Sequence, residues 1–418
     1  MRKLLCLFFV VFWVLPARSQ NSWVMGDSSR FNDYYGLLQV EAGGAYRSNA
    51  VNNQLTLKLV RGGMLDPQNI SDIEENLNEM NRAGGDLFGN VTFFALTDSV
   101  FARPDLGWML QVGHRQNSWS NFSRDAFRLA FQGNSKFRGA HADLSGTTFK
   151  SIAYQKFGLG LFDKKTFSSF RLNFINGQQF SEASIKDADL YTSLLGDSLH
   201  LRYQGSWVQS DTSLTGFGKG NGVGVSADLS WNIPLNDDNG VLNISIEDLG
   251  LIFWGKNTLH READTTFSYI GFDLQEVLDN GNDYSFPVLE DTLGYQSYKR
   301  RTEQWLPTTV NVSLKRRNNR NDFFEMGMAV RVQEAFIPEL YGGYYYFTNN
   351  STLLSANFRY GGYGNLRIGA SLEKWLNNEW FIGIRTDDVP GFILNNMKGR
   401  SLYLQFSRMI KTNDQKRS

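Results

Sequence analysis

The chain has 418 residues, and its 42 acidic residues match its 42 basic residues, so the formal net charge at pH 7 is +0. This balance gives no electrostatic case for a nucleic-acid partner. Hydrophobic residues make up 41% of the chain, a modest share that suits a membrane barrel in which half of each strand faces a wet lumen.

The N-terminus predicts an export signal over residues 1–19. Arg2 and Lys3 precede an apolar run over 4–15, and small residues follow Pro16. The run is shorter than the roughly 20 apolar residues that a membrane-spanning helix needs, which leaves a retained anchor as the alternative. Cys6 leaves with the signal peptide, so we expect neither thiol catalysis nor thiolate metal sites in the mature chain.

An N-terminal segment over 20–89 is expected to precede the regular strands and to contain one helix at 71–83. Ser71 is a suitable cap, and Ile73, Leu77 and Met80 recur at helical spacing. We expect this amphipathic helix either to plug the lumen of a barrel or to cap its periplasmic mouth.

The main signal is an alternation of apolar and polar residues with a period of two. It is clearest at 225–232, 309–315, 365–373 and 401–407, and it recurs at 107–115, 168–175, 198–204, 241–247, 324–331, 352–360 and 379–385. Successive side chains of a strand point to opposite faces, so each segment has one apolar and one polar face. The prediction is an all-β fold, a transmembrane antiparallel barrel of roughly 14–16 strands over residues 90–410 with a short helical plug or cap.

A secreted soluble β-sandwich is the alternative fold, because its strands also alternate. Three features favour the barrel: strands of about 8–12 residues, charges of both signs on the polar faces, and aromatic residues at strand ends. The aromatic residues lie at 341–347, Trp375 and Trp380, where interfacial girdles are expected.

Connection lengths predict which end of the barrel faces outward. If both termini are periplasmic, the connections at 386–399, 209–220, 133–149 and 251–307 lie outside the cell, and those at 374–378, 348–351, 317–321, 235–239 and 162–165 lie inside. Most of the long connections are then external, as in outer-membrane barrels. The exceptions are 361–363, short but external, and 117–125, long for a periplasmic turn.

The long connection 251–307 is expected to have a function, because loops of this length in compact proteins usually do. Residues 266–282 resemble a second short helix, followed by acidic residues and then the basic run 299–301. A solvated loop without a partner is the alternative. A polar tail over 411–418 ends the chain.

No catalytic, cofactor-binding or metal-binding residues are predicted, and we expect the protein not to be an enzyme. The four histidines, His114, His141, His200 and His260, lack metal-ligand spacing. The glycine-rich segment 216–222 opens no helix, so it reads as an external loop rather than a phosphate site.

Three segments resemble an outer-membrane barrel family of Bacteroidota that is known only as a domain of unknown function. They are 267–274, 291–293 and 305–312, with the Leu306-Pro307 entry into a strand as the most specific part, and Gly62-Gly63 before the 71–83 helix also fits. The resemblance covers nearly the whole mature chain. It implies a barrel similar to long-chain fatty-acid transporters, a class that includes barrel subunits of type IX secretion and gliding machinery, and it carries over no catalytic residues.

The sequence therefore predicts a cell outer-membrane β-barrel that acts as a transport channel for small or amphipathic solutes and contacts outer-membrane lipid. The alternative is a non-conducting barrel subunit that binds partner proteins of a secretion, gliding or surface assembly. The second alternative is a secreted soluble β-sandwich binding protein. No cofactor is expected.

Overall fold

The computed structural model describes residues 34–96, 99–214, 218–235, 239–269, 294–349, 351–377 and 379–411. Within these ranges, no helix is both long and apolar enough to cross a membrane. The predicted signal peptide and the tail beyond Lys411 lie outside the described residues.

Strands make up most of the described chain. In chain order they are β1 (Tyr34–Ser48), β2 (Met80–Ala95), β3 (Leu106–Ser123), β4 (Ala140–Asp143), β5 (Thr148–Asp163), β6 (Ser169–Thr192), β7 (Leu199–Gln209), β8 (Gly222–Pro234), β9 (Gly240–Trp254), β10 (Leu259–Tyr269), β11 (Gln296–Lys299), β12 (Thr302–Trp305), β13 (Thr309–Arg317), β14 (Asp322–Arg331), β15 (Ile337–Asn349), β16 (Thr352–Gly362), β17 (Arg367–Trp375), β18 (Trp380–Thr386) and β19 (Gly399–Lys411). The helices are α1 (Asn53–Arg61), α2 (Pro67–Glu75), α3 (Arg124–Gln132) and α4 (Val389–Ile393), with single 3₁₀ turns at Asn134–Phe137 and Thr212–Leu214.

The sheet closes into a 14-strand antiparallel barrel, which confirms the predicted fold class. Around the wall the order is β1, β2, β3, β5, β6, β8, β9, β13 and then β14 to β19 in sequence. β1 pairs with β19 from Tyr34↔Lys411 to Arg47↔Gly399, so these two strands close the circle. Closure leaves the barrel wall with no open edge, as a membrane-spanning sheet requires.

The barrel has its apolar face outside and its polar face inside. On β19, the outward Leu402, Leu404 and Phe406 are 41%, 49% and 41% exposed, whereas the inward Ser401 and Ser407 are 2% and 1% exposed. The same outward band continues around the wall with Val91, Val112, Leu159, Leu172, Val225, Met326, Leu354, Ile368 and Ile384. An apolar band of this size suits lipid rather than water. The soluble β-sandwich, which buries its apolar face, is therefore wrong.

Aromatic residues cluster on the outer face at strand ends, as predicted. Near the chain termini, Phe93 lies 6.1 Å from Tyr35 and 5.5 Å from Trp108, and Trp380 lies 5.1 Å from Phe406, all between ring centroids. Tyr345 and Phe347, which pack against the buried Phe323 and Leu353, are exceptions. So is Trp375, because it packs against an apolar cluster inside the barrel. It stands one residue out of phase with the outward residues of β17, so the alternation itself places it in the lumen.

Most of the long connections lie at one end of the barrel. The termini share one end with the connections 96–105, 164–168, 235–239, 318–321, 350–351 and 376–379, which we call the short-connection end. The long-connection end carries 49–79, 124–147, 178–221, 255–308, 332–336, 363–366 and 387–398. The predicted grouping of connections holds except at 117–125, which is not a turn: β3 runs on to Ser123, and Ser123 caps α3.

The N-terminal helix differs from the prediction in both bounds and place. α2 begins at Pro67, and Asp66 accepts a hydrogen bond from the Gln68 amide, so this cap precedes Ser71. From Met80 the chain is already in β2, which ends the helix earlier than residue 83. The helix follows β1, so the barrel includes much of 34–89, and the helix lies at the long-connection end.

Three helices form a cap with an apolar core of its own. Leu55 of α1, Ile70 and Ile73 of α2 and Phe127 of α3 are buried together there, with Ala50 and Leu77. Glu74 accepts hydrogen bonds from Gln132 and from Arg128, the latter at 2.9 Å. The Gln132 bond, together with Lys136 and Arg128, holds the pKa of Glu74 below its usual range although burial opposes this.

One side of the wall continues past the lipid band. β6 has 24 residues. Its first half pairs with β8, and its second half pairs with β7, which pairs with β10 and then β11. In its described part, residues 251–269 and 294–307, the predicted loop is therefore largely sheet. Residues 266–269 of the predicted second helix end strand β10, and the rest of 266–282 lies outside the described residues.

We predict that Leu404→Arg lowers the free energy of unfolding by about 2–4 kcal/mol, because it places a charge on the lipid face near mid-strand. The control is Leu195→Arg, at an 80% exposed residue of the β6–β7 connection, where we expect a change within about 0.5 kcal/mol. Urea unfolding in phospholipid vesicles, followed by heat-modifiable migration on a gel, measures both. Equal effects of the two variants would mean that Leu404 does not face lipid.

Candidate luminal site

The centre of the lumen holds a buried network of charges. The ammonium group of Lys156 on β5 lies 2.8 Å from a carboxylate oxygen of Asp228 on β8 and 2.6 Å from one of Asp248 on β9. The side chains of Lys156, Asp228 and Asp248 are only 2%, 9% and 1% exposed. A buried ion pair of this kind persists only when its remaining hydrogen-bonding positions are also filled.

Neighbouring strands fill those positions. Arg115 on β3 donates to Asp248 at 2.8 Å and to Glu247 at 2.7 Å, and the Tyr154 hydroxyl donates to Asp248 at 2.9 Å. Arg171 on β6 donates to Asp228. The backbone N–H of Asp248 donates to Asp228 at 2.8 Å.

The backbone at Asp248 explains how two successive acidic residues reach the lumen. Asp248 has φ 58°, a left-handed conformation that is rare outside glycine. The pairing of β8 with β9 shifts register there, between Ala227 and Leu229 of β8. Such a bulge lets Glu247 and Asp248 face the same side, so both contact Arg115.

A second ion pair crosses the barrel. Arg331 on β14 donates to Asp86 on β2 at 2.7 Å, and Asn117 on β3 also donates to Asp86. The same number of strands separates β2 from β14 in both directions around the wall, so the two side chains meet across the lumen. This contact divides the lumen at its level.

An aromatic cluster fills the lumen between the charges and the long-connection end. The wall contributes Trp119, Ile152, Tyr154, Ile175, Phe180, Ile252 and Trp254. Three further residues come from connections: Leu306, Phe336 and Tyr363. We call Leu306, Phe336 and Tyr363 the lid, because they reach the wall residues from segments between strands. Phe180 stacks on Trp254 at 5.5 Å, and Phe336 meets Tyr363 edge-on at 5.3 Å, between ring centroids.

Two polar atoms in and beside the cluster have no hydrogen-bond partner among the described residues. They are the indole Nε1 of Trp254, which is 1% exposed, and Oε1 of Gln333, whose amide donates to the Tyr363 hydroxyl. Buried polar atoms are normally paired with protein or water. An unpaired donor and an unpaired acceptor beside aromatic rings suit a small molecule with one apolar face and polar groups.

The short-connection end is closed by apolar residues. Leu37, Leu96, Met109, Phe162 and Met409 are buried there together with Tyr34. Phe94 meets Phe162 edge-on at 5.3 Å between ring centroids. Along β5 the inward residues thus run from the aromatic cluster through Lys156 to Phe162, so one strand samples three layers of the lumen.

Another charge cluster fastens the 387–398 connection to the wall. Arg47 on β1 lies 2.6 Å from Asp387, and Arg359 on β16 lies 2.6 Å from Glu339 and 3.2 Å from Asp387. Arg367 also pairs with Glu339. Burial raises the pKa of the Asp387 carboxyl, but Arg359 and Arg47 outweigh burial and hold that pKa well below its usual range.

The histidines lie apart from the lumen. His141, His200 and His260 belong to β4, β7 and β10 of the extended sheet, and His114 stands on β3 among outward residues. Tyr191 lies between His141 and His200, with ring centroids 4.9 and 6.1 Å away. In the part of the chain that the structure describes, no group of three His, Cys, Asp or Glu residues is placed to hold a metal ion.

We predict that Lys156→Met costs about 3–5 kcal/mol of unfolding free energy, because two buried carboxylates lose their shared cation. Lys411→Met on β19 is the control, since Lys411 and its partner Glu379 are 52% and 30% exposed, and such surface pairs contribute about 0–1 kcal/mol. Urea unfolding in vesicles compares the two variants. Similar losses would contradict the central role of Lys156.

We also predict that Asp86 and Arg331 are energetically coupled by about 1–3 kcal/mol in a double-mutant cycle of alanine variants. The exposed pair Arg202–Asp187, 63% and 47% exposed, is the control and should give about 0.2–1 kcal/mol. The exchanged variant Asp86→Arg with Arg331→Asp should recover part of the stability lost in the single variants. No coupling would show that the pair does not hold the lumen together.

Comparison with solved structures finds barrels of similar length at low identity. The P. putida toluene transporter TodX is 8% identical with a TM-score of 0.41, covering 95% of this chain and 97% of its own. The Ralstonia pickettii toluene transporter TbuX is 8% identical with a TM-score of 0.31, covering 94% and 95%. The translocator domain of the autotransporter NalP from Neisseria meningitidis is 9% identical with a TM-score of 0.30, covering 92% of each. These similarities carry no functional argument.

No curated protein matches the sequence. A family model described as "Family of unknown function (DUF5723)" matches residues 36–384, from the first barrel strand to the penultimate one. The sequence resemblance to a barrel family of unknown function is confirmed at this level, and the chain belongs to the DUF5723 family.

Proposed function

We propose that the protein is an outer-membrane channel for small amphipathic solutes, closed in the conformation described here. The aromatic cluster is the solute site. The observation that carries the proposal is a pair of polar atoms, Trp254 Nε1 and Gln333 Oε1, that have no hydrogen-bond partner among the described residues and lie in and beside an apolar, largely aromatic layer. A solute with a flat apolar face and polar groups would satisfy both atoms.

Opening is assigned to the lid. Leu306, Phe336 and Tyr363 come from connections between strands, which move at lower cost than paired strands. The wall half of the cluster is held by β3, β5, β6 and β9 and stays in place. A solute entering from the long-connection end would take the place of lid side chains and then meet the charged layer beneath.

Orientation follows from the connections. Outer-membrane barrels carry short periplasmic turns and longer external loops. We therefore place the long-connection end outside the cell and the chain termini in the periplasm.

The second candidate is a non-conducting barrel that docks partner proteins at the long-connection end. The Asp86–Arg331 contact across the lumen favours it, because that contact is expected of a barrel through which nothing passes. The two candidates differ in whether removal of the lid admits a solute.

The test uses an aryl glucoside, 4-nitrophenyl β-glucoside, which combines a flat ring with hydroxyl groups. Liposomes contain the full-length protein in the membrane and an entrapped β-glucosidase, so influx releases coloured nitrophenolate. We expect Tyr363→Ala to raise the influx severalfold over wild type, because it removes a lid side chain. The control is Tyr360→Ala, since Tyr360 is 56% exposed on the outer face, and its influx should equal that of wild type.

A Trp254→Phe variant in the Tyr363→Ala background isolates the polar contact. It keeps an aromatic ring and removes the N–H, so half-saturation should require more solute while the barrel stays folded. If folded Tyr363→Ala protein admits no more glucoside than protein-free liposomes, also when Arg331→Ala and Phe162→Ala open the two other closed levels of the lumen, the channel proposal fails and the non-conducting candidate stands.

A further inference from the structure

Two short helices meet on the outer side of the barrel wall at the long-connection end. The side chain of Asn53, at the start of α1, donates to the carbonyl of Gly391 in α4 at 2.9 Å, and its backbone N–H donates to Met397 at 2.7 Å. Arg400 of β19 also donates to Gly391, at 2.6 Å. Arg400 shares the outward phase of Leu402 and Leu404, so α4 packs against the outside of the barrel.

The tips of these helices are apolar and exposed. Phe392, Ile393 and Leu394 at the end of α4 are 50%, 74% and 50% exposed, and Leu59 and Val60 near the end of α1 are 58% and 79% exposed. We call these five residues, with Lys58, Arg61 and Arg400, the foot. Phe392, Ile393 and Leu394 follow one another in the chain, and an exposed apolar patch on a folded surface can mark an interaction site.

Basic residues accompany the apolar tips. Lys58 and Arg61 lie in the last turn of α1, and the guanidinium of Arg400 lies 5.9 Å from the centre of the Phe392 ring. Asp66 is the nearest acidic residue that follows α1 in the chain, and its carboxylate caps α2 by accepting a hydrogen bond from the Gln68 amide. The foot therefore combines an apolar tip with positive charge, the pattern of a segment that lies in a membrane interface.

The foot is also continuous with the lipid-facing band. Arg400 precedes Leu402, the outermost exposed apolar residue of β19 at this end, by a single strand repeat of roughly 7 Å. Tyr46, which is in phase with the outward Val40 of β1, binds the side chain of Asn53 at 2.6 Å. The helices thus border the apolar outer band at the long-connection end.

We propose that the foot inserts its apolar tip into the headgroup region of the leaflet at the long-connection end and binds the phosphate of anionic lipid headgroups through Lys58, Arg61 and Arg400. The occupant is the lipid surface of the same membrane. This inference needs the barrel in a bilayer and does not depend on what the lumen transports.

The test places a fluorescent probe on the foot of the full-length protein. Ile393→Cys is made in a Cys6→Ser background, because Cys6 is the only cysteine of the chain, and is labelled with an environment-sensitive nitrobenzoxadiazole dye. The protein is refolded into phosphatidylcholine vesicles with or without phosphatidylglycerol. A quencher is carried on lipid chains close to the headgroups. Leu195→Cys, on an equally exposed apolar residue of the β6–β7 connection, is the matched control.

We expect the Ile393 probe to be quenched by the lipid-borne quencher and its emission to shift to the blue when phosphatidylglycerol is added. Lys58→Gln with Arg61→Gln should remove the added shift while the barrel stays heat-modifiable on a gel. The Leu195 probe should respond to neither change. A probe at Ile393 that is quenched no more than the one at Leu195 would overturn the proposal.

Two other outcomes also contradict it. Quenching and emission that do not differ between the two lipid compositions would overturn binding to anionic headgroups, because phosphatidylcholine carries a phosphate but no net charge. Protection of the Ile393 probe from aqueous iodide without any lipid quenching would show that another protein surface, such as a second copy of the chain, covers the foot.

Discussion

The bond of Lys156 to Asp228 and Asp248 is the constraint on which the interior depends. It joins strands β5, β8 and β9 inside a closed sheet. The three side chains are buried there, so water cannot replace a hydrogen-bond partner that one of them loses. Lys156 donates to Oδ1 of Asp248, and the other three carboxylate oxygens also receive hydrogen bonds from Arg115, Tyr154, Arg171 or the Asp248 backbone. The left-handed residue at position 248 is the backbone cost of that arrangement.

The charged layer gives the two apolar layers different roles. The cluster at the short-connection end includes residues of the wall and seals the lumen from one side. The aromatic cluster is half wall and half lid, and the two unpartnered polar atoms lie in or beside it. Because paired strands resist local opening more than connections do, passage through the barrel is controlled where the lid is. The proposed lipid-bound foot lies outside this pathway and anchors the cap side of the same end.

The period-two pattern predicted the architecture because it is a local property of each strand. The lower bound of the predicted strand number is the observed one. The alternation does not predict β1 and the start of β2, because Gly43-Gly44 and Gly84-Gly85 interrupt it. Gly84 is needed for packing, since it leaves room for the ring of Tyr363. The site was not predictable in this way. Asp86 and Arg331 meet only because the sheet closes. Trp254 lies within 251–307, for which the sequence predicts a loop rather than the end of a strand.

Planar-bilayer recording of the wild-type protein tests the closed lumen most directly. The Asp86–Arg331 contact and the two apolar layers predict that inserted, folded barrels show no steady conductance in the absence of solute. A stable, open-state current from the wild-type barrel would contradict this account, because no such current can pass the contacts described at three levels of the lumen.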